Sequence, residues 1–371
     1  MPYNTAMSHL QIILPLGIPP AALAPDLLRA LQTPSLRTPA LAKLLACASL
    51  GNTELATDFA RLLPHEAWLA GHFRPESRMS IMHQSIRHAS SALTNLTNPR
   101  LCSPASTHNK MQEMGLTASE GYWFTFSPVH IHIARDHLVL TDQRRLNIPE
   151  DEARILFQAA ADMCAEIGKT LLYGDAKTWF LRADDWQHLQ TSTMDAACGH
   201  NIEIWMPKGE QERAWRKLQN EIQMLWHIHP INAQREASGV NIINSAWLHS
   251  GSAALSKQEK HYRADTSFAQ VLAASQSEKT TTVILDQFLE PSINSDWAYW
   301  LEAMHALEDN WFCPVLQAIK GRQLQHLDLV FNDAASLTTF SLTPRHLWKF
   351  WAKDSLAPLF SLAQLNTEES A

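Results

Sequence analysis

Leu10-Gln11-Ile12-Ile13-Leu14-Pro15-Leu16-Gly17 is the stretch on which the fold turns. It is short, rich in branched apolar residues and stopped by Pro15 and Gly17, which reads as a buried first strand. Helices are expected after it: Pro25-Asp26 opens one through Leu31, and Thr38-Pro39 starts another across Leu41, Leu44 and Leu45. The strand itself carries no carboxylate, and the first acid of the chain is Asp26. That absence bears on function below.

Strands and helices continue to intersperse downstream. Tyr122–Phe126, Val129–Ala134 and His137–Thr141 have strand composition, with Arg135-Asp136 at a tight reversal. Pro149, the acids Glu150 to Glu152, the stripe Ile155, Leu156, Ala159, Ala160, Met163 and Ile167, and the stop at Gly168 define a helix. Strands are expected at Thr170–Tyr173 and Thr178–Leu181. A second helix should run from about Glu210 to Trp226, with Trp215, Leu218, Ile222, Leu225 and Trp226 on one face. Ile242–Leu248 reads as a strand, followed by Ser250-Gly251-Ser252 and a helix. Thr281–Leu285 is a further strand, and Trp297, Trp300, Leu301, Met304 and Leu307 step as a helix does. Leu327–Phe331 and Leu337–Leu342 pair across Asn332-Asp333, and Pro344 opens a last helix carrying Trp348 and Trp351. The fold class is α/β: a mixed β-sheet flanked by helices, with β-hairpin elements.

The expected organisation is an N-terminal strand-helix segment over 1–73 and a polar excursion or lid over 74–120. A central mixed α/β part with a polar motif follows over 121–255, and a C-terminal α/β part over 256–371 packs on the same sheet or core. Composition narrows the function classes. The 371 residues carry a net charge of −7, without the clustered basic face that a nucleic-acid backbone demands. Five cysteines, at 47, 102, 164, 198 and 313, lack CxxC spacing and suit a reducing compartment. No apolar run approaches a membrane span and no charged start of a secretory signal precedes Leu10, so a cytoplasmic protein is expected. Core packing accounts best for Trp205, Trp215, Trp226, Trp247, Trp297, Trp300 and Trp311.

Chemistry has few footholds. No phosphate loop, dinucleotide glycine fingerprint or serine elbow occurs. His130 and His132, two apart in a strand, share a face and are candidate metal ligands, with His137 or Asp142 to complete the set. The denser signal is the polar run His229, Asn232, Arg235, Asn244 and Ser245, where an Arg fork and Asn amides suit a carboxylate or phosphate. A capped turn satisfying its own backbone is the equal alternative. Ser250 and Ser252 add two hydroxyls that suit an anion, or a plain turn. His65-Glu66 reads as the start of a helix rather than a catalytic dyad.

Several segments together resemble the RpfE-type regulatory protein family of proteobacteria, over about Leu10 to Phe350. They are Leu63-Pro-His-Glu-Ala-Trp-Leu69, Pro128-Val-His130 with Arg135-Asp-His-Leu-Val-Leu140, Asn220-Glu-Ile-Gln-Met224, His229-Pro-Ile-Asn232 with Arg235 and Gly239, and Asn244-Ser245 before Trp247-Leu248. Members are labelled cofactor-independent phosphoglycerate mutase-like, within the alkaline phosphatase superfamily. The resemblance implies a bacterial cytosolic protein linked to regulation of secreted factors. This sequence departs from it at His249-Ser250-Gly251-Ser252, where relatives tend to carry consecutive glycines, and at Ser127, where an acid is usual.

Enzymes of that superfamily hold two divalent metals with Asp and His clusters, so the first strand should end in Asp. Here it ends Leu14-Pro15-Leu16. The expectation is therefore a non-catalytic or weakly active regulatory protein on a degenerate phosphomutase-like scaffold. No cofactor is expected, and a small phosphorylated or carboxylated ligand would sit at His229, Asn232, Arg235, Asn244, Ser245, Ser250 and Ser252. The alternatives are a phosphoglycerate mutase or phosphatase dependent on Mn or Zn through His130, His132 and His229, and a partner-binding module that uses the 74–120 excursion.

Overall fold

A computed structural model describes residues 7–56, 60–70, 107–117, 120–253, 261–263, 266–274, 279–349 and 351–368. In chain order the strands are β1 (Met7–Leu14), β2 (Ser49–Leu55), β3 (Trp123–Val129), β4 (Ile131–Ala134), β5 (His137–Leu140), β6 (Thr170–Asp175), β7 (Thr178–Arg182), β8 (Ser245–Ser252), β9 (His261–Arg263), β10 (Thr281–Ile284), β11 (Leu324–Asn332) and β12 (Ser336–Leu342). The class is the α/β arrangement expected, a mixed sheet flanked by helices with hairpins.

The chain divides into two units, one built from Met1–Asp58 with Glu259–Ala371, the other from Phe59–Gln258. This differs from the four-part expectation. The first unit is discontinuous because β1 seeks its neighbours late in the chain: it lies parallel between β10 and β11 in a six-stranded sheet of order β2-β12-β11-β1-β10-β9. Leu10, Ile12 and Leu14 of β1 share one face with Leu327, Leu329 and Phe331 of β11, all inaccessible to solvent. Helices cover that face, with Leu41, Leu44 and Leu45 of Pro39–Cys47 and Trp300, Met304 and Leu307 of Trp297–Leu307. β1's alternate residues, His9 and Gln11, belong to the opposite face, as the two-residue period of a strand requires.

The second unit has its own core around an antiparallel sheet of order β6-β7-β3-β8, beside the β4-β5 hairpin. Every residue of β3 is buried. The helices Glu150–Glu166 and Glu212–His227 lay Leu156, Ala160 and Cys164, and Trp215, Leu218, Ile222 and Trp226, into this core. The indole N–H of Trp226 donates to the Leu156 carbonyl at 3.2 Å, so packing and hydrogen bonding hold the same pair of helices.

Four local expectations are corrected. Ser49–Leu55 was not anticipated as a strand, because Gly51 and Asn52 disfavour one; pairing with β12 at the sheet edge overrides propensity. β8 starts at Ser245 rather than Ile242, since the backbone of 241–243 is taken by side-chain clasps described below, and it runs on through Ser252 where a turn leading to a helix was expected. Pro344 opens only a short turn of 3₁₀ helix to Trp348, and the last helix is Ala357–Glu368. Of the 74–120 excursion, 107–117 includes the helix Thr107–Glu113; 74–106 and 118–119 lie outside the described residues.

Candidate functional site

The polar run is brought together, but on the protein's own backbone. Asn232, 2% exposed, donates its amide N–H groups to the carbonyls of Trp226 and Ile243, both at 2.8 Å, and its oxygen accepts from the Ile243 N–H at 2.8 Å. Arg235, 4% exposed, donates to the Asn241 and Asn147 carbonyls at 2.8 Å each and to Glu152 Oε2 at 2.6 Å. Asn244 clasps both backbone groups of Ile131 at 2.8 Å. Ser245 accepts from Gln219 at 3.3 Å, and His229 caps the helix Pro230–Ala237 by accepting from the Ile231 N–H at 3.2 Å. An incoming anion would have to displace Glu152 from a guanidinium whose charge that carboxylate already balances. The side chains expected to cradle an anion act instead as clasps that tie β4, β8 and three helices together.

Ser250 and Ser252 are likewise engaged. Ser250 sits at φ +59°, a left-handed conformation that glycine adopts more freely, and its hydroxyl lies 2.7 Å from His249 Nδ1. Nε2 of the same ring is 3.3 Å from Ser127 Oγ, so Ser127, the residue standing where an acid was expected, partners a buried imidazole. Burial, with Lys110 adding to it, pulls His249 down to about 3. A base that weak takes no proton from serine at neutral pH, and the third member is a hydroxyl rather than a carboxylate. Ser252 Oγ pairs with His108 Nδ1 at 2.9 Å.

Among the described residues, no third ligand joins His130 and His132. The rings lie 6.0 Å apart, 13° from parallel, with His130 Nδ1 on the Ile242 carbonyl at 2.8 Å and His132 Nδ1 on Thr141 Oγ1 at 3.1 Å. His137 turns to Asp136, and Asp142 accepts from Arg144 at 2.9 Å. Among the described residues, the three-ligand cluster is elsewhere: His9, His326 and Asp328, in the first unit.

A basic cleft of the first unit was missed. The helix Cys313–Lys320 ends at Gly321, and Arg322, at φ +56°, turns the chain into β11. β12 returns to Thr343 and the short turn Pro344–Trp348. Together Lys320, Arg322, Gln325, Thr343, Arg345 and Trp348 line a cleft of about 810 Å³. Among the described residues, no carboxylate lines it and none of the three cations has an ion-pair partner. Trp348 is 72% exposed, and a second aromatic hollow with Lys349 and Trp351 adjoins it through Arg345 and Trp348. A helix C-terminus favours Lys320 and Arg322 for its own dipole, but it gives no reason for Arg345 and an open indole. The legible signal was Lys320-Gly-Arg322 followed by Arg345-His-Leu-Trp348, two cation-bearing turns at opposite ends of one hairpin. Expecting a full helix from Pro344 to carry Trp348 hid it.

No family model matches this sequence, and no curated protein does. Two solved structures are similar to it along their length. One is the PH0037 protein from Pyrococcus horikoshii, 11% identical, covering 91% of this chain and 88% of that one, with a TM-score of 0.46. The other is the cofactor-independent phosphoglycerate mutase from Thermoplasma acidophilum, 12% identical, covering 98% and 100%, with a TM-score of 0.37. Among the described residues, no helix is long and apolar enough to cross a membrane.

Proposed function

We propose that this protein is a non-catalytic regulatory protein that binds a small phosphorylated or carboxylated ligand, in the cleft of Lys320, Arg322 and Arg345. The observation that carries the reading is three cations around one cleft that, among the described residues, have no ion-pair partner and no acid beside them, in a chain whose net charge is −7. Such a site attracts an anion electrostatically, and two guanidinium forks seat its oxygens. The exposed Trp348 face offers stacking for a planar ring, which favours a ligand that combines a phosphate with an aromatic or heterocyclic part. The cleft's volume falls in the range of small-molecule sites.

Support for the non-catalytic part comes from the carboxyl ends of β1 and β11, two of the parallel strands where α/β folds place their chemistry. β1 ends in Leu14-Pro15-Leu16. Asp333, beyond β11, spends one carboxylate oxygen on the N–H groups of Ala335 and Ser336, at 2.8 and 2.6 Å, and on the Ser336 hydroxyl. A regulatory role of the RpfE type accords with a ligand-binding chain of this kind.

The test is thermal stabilisation of the purified protein by inorganic phosphate, pyrophosphate, citrate and a nucleoside triphosphate. A rise in Tm with the phosphorylated compounds that Arg322→Ala removes is expected. Equal rises in the variant and the wild type would reject the cleft.

A further inference from the structure

We infer that His9, His326 and Asp328 form a binding site for a borderline divalent cation of the zinc type, a site separate from the basic cleft. His9 of β1 and His326 of β11 are direct partners in the parallel register, and Asp328 lies two residues along, on the same face. One ligand atom from each residue falls within 4.8 Å of the others. His9 Nε2 is 2.9 Å from Asp328 Oδ2, and His326 Nε2 is 3.0 Å from Asp328 Oδ1. The rings meet edge to face at 4.5 Å between centroids. A tetrahedral ion with bonds of about 2.0–2.2 Å sets its ligand atoms about 3.3–3.6 Å apart, inside the 4.8 Å within which one atom from each residue already lies, so small side-chain rotations admit it.

The donor set selects the metal. Two imidazoles and one carboxylate suit zinc or cobalt, whereas magnesium and calcium prefer oxygen alone. The surroundings are those of a metal site. The Ser341 hydroxyl, on the neighbouring strand β12, donates to Asp328 Oδ1 at 2.6 Å and fixes the carboxylate. Thr280 Oγ1 stands 3.5 Å from His9 Nδ1, the ring nitrogen that would carry the proton once Nε2 binds metal. The side chains are 25% (His9), 39% (His326) and 12% (Asp328) accessible, which gives an ion a path in and leaves a position for water. The cluster occupies the amino-terminal halves of β1 and β11, away from the strand ends where this fold class places ligands, so it is not the residue of a two-metal phosphotransfer centre. It pins the two central strands across the sheet.

The experiment is titration of the full chain, stripped with chelator, with zinc and with cobalt, followed by calorimetry and by the visible absorption of cobalt. One cation per chain is expected, with a tetrahedral cobalt spectrum and a rise in Tm. His326→Ala should weaken binding by on the order of a hundredfold and Ser341→Ala by about tenfold, while His132→Ala binds as the wild type does. Because Asp328 variants risk failing to fold, the two milder variants carry the decision. No stoichiometric binding, or equal affinity in His326→Ala and wild type, or loss in His132→Ala instead, would overturn the site.

Discussion

Arg235 shows how a residue that reads as a ligand clamp becomes a structural one. A fork of donors suits a carboxylate or a run of carbonyls equally well, and which it meets depends on residues 83 and 88 positions away, at Glu152 and Asn147. Local spacing could not reveal them. Arg235→Ala leaves two carbonyls and Glu152 without their donor and is expected to cost about 3 kcal/mol in urea denaturation. Ligand-induced stabilisation should survive in this variant. Glu66 supplies a second test at this scale. It is buried, with Oε2 accepting from the Leu63 N–H and the Thr193 hydroxyl at 2.7 Å each, and burial pushes its carboxyl from 4.5 up to about 8. The folded state therefore holds this proton more tightly than the unfolded chain does. The contribution is full below about 4.5 and is lost as pH rises through about 8. Stability measured between those limits should fall with pH in the wild type and fall less in Glu66→Gln. Asp328 has the opposite sign. Burial works to raise it, but the hydrogen bonds from His9 and Ser341 and the charge of the imidazoles outweigh that and leave it at about 2, so its contribution fades only as pH drops below the ordinary carboxylate range.

At the scale of elements, apolar periodicity told most of the story. Of the stripe expected on Glu150–Glu166, Leu156 and Ala160 are buried while Ile155 and Ile167 are exposed; Trp215, Leu218, Ile222 and Trp226 of the second are buried, and the Arg135-Asp136 reversal is real, with Arg135 at φ +56°. What was illegible depended on partners. Ser49–Leu55 is a strand because β12 offers an edge, and Gly51 is needed there because a Cβ would stand 2.9 Å from the Thr339 carbonyl. His326-x-Asp328 carried the same two-apart signal as His130-x-His132, but only the pairing of β11 with β1 adds the third donor. The clasp of Asn244 on Ile131 joins the β4-β5 hairpin to the start of β8. Asn244→Ala should cost about 2 kcal/mol and raise amide hydrogen exchange selectively in β4 and β5. Unaltered exchange there would mean that other contacts hold the hairpin.

For the whole molecule, the decisive arrangement is that the first strand belongs with the last third of the chain. The expectation packed a C-terminal part over 256–371 on the same sheet or core without naming the partners of β1, and the insertion of a complete second unit between the two segments did not follow from any composition shift. The two cores draw on separate residues, one from 7–47 and 268–363 and the other from 124–248. Residues 59–258, expressed alone, should therefore unfold cooperatively with the near-ultraviolet signal of packed tryptophans, whereas a molten chain lacking that signal would show that this core depends on the first unit. The proposed function rests on charge: among the described residues, three cations without an ion-pair partner gather around Trp348 in an acidic chain. The most direct measurement is calorimetric titration of pyrophosphate, at low and high salt, into the wild type and Arg322→Ala/Arg345→Ala. One-site binding that weakens with salt and by at least about tenfold in the double variant is expected; no heat in the wild type, or equal affinity in the two proteins, would contradict the account.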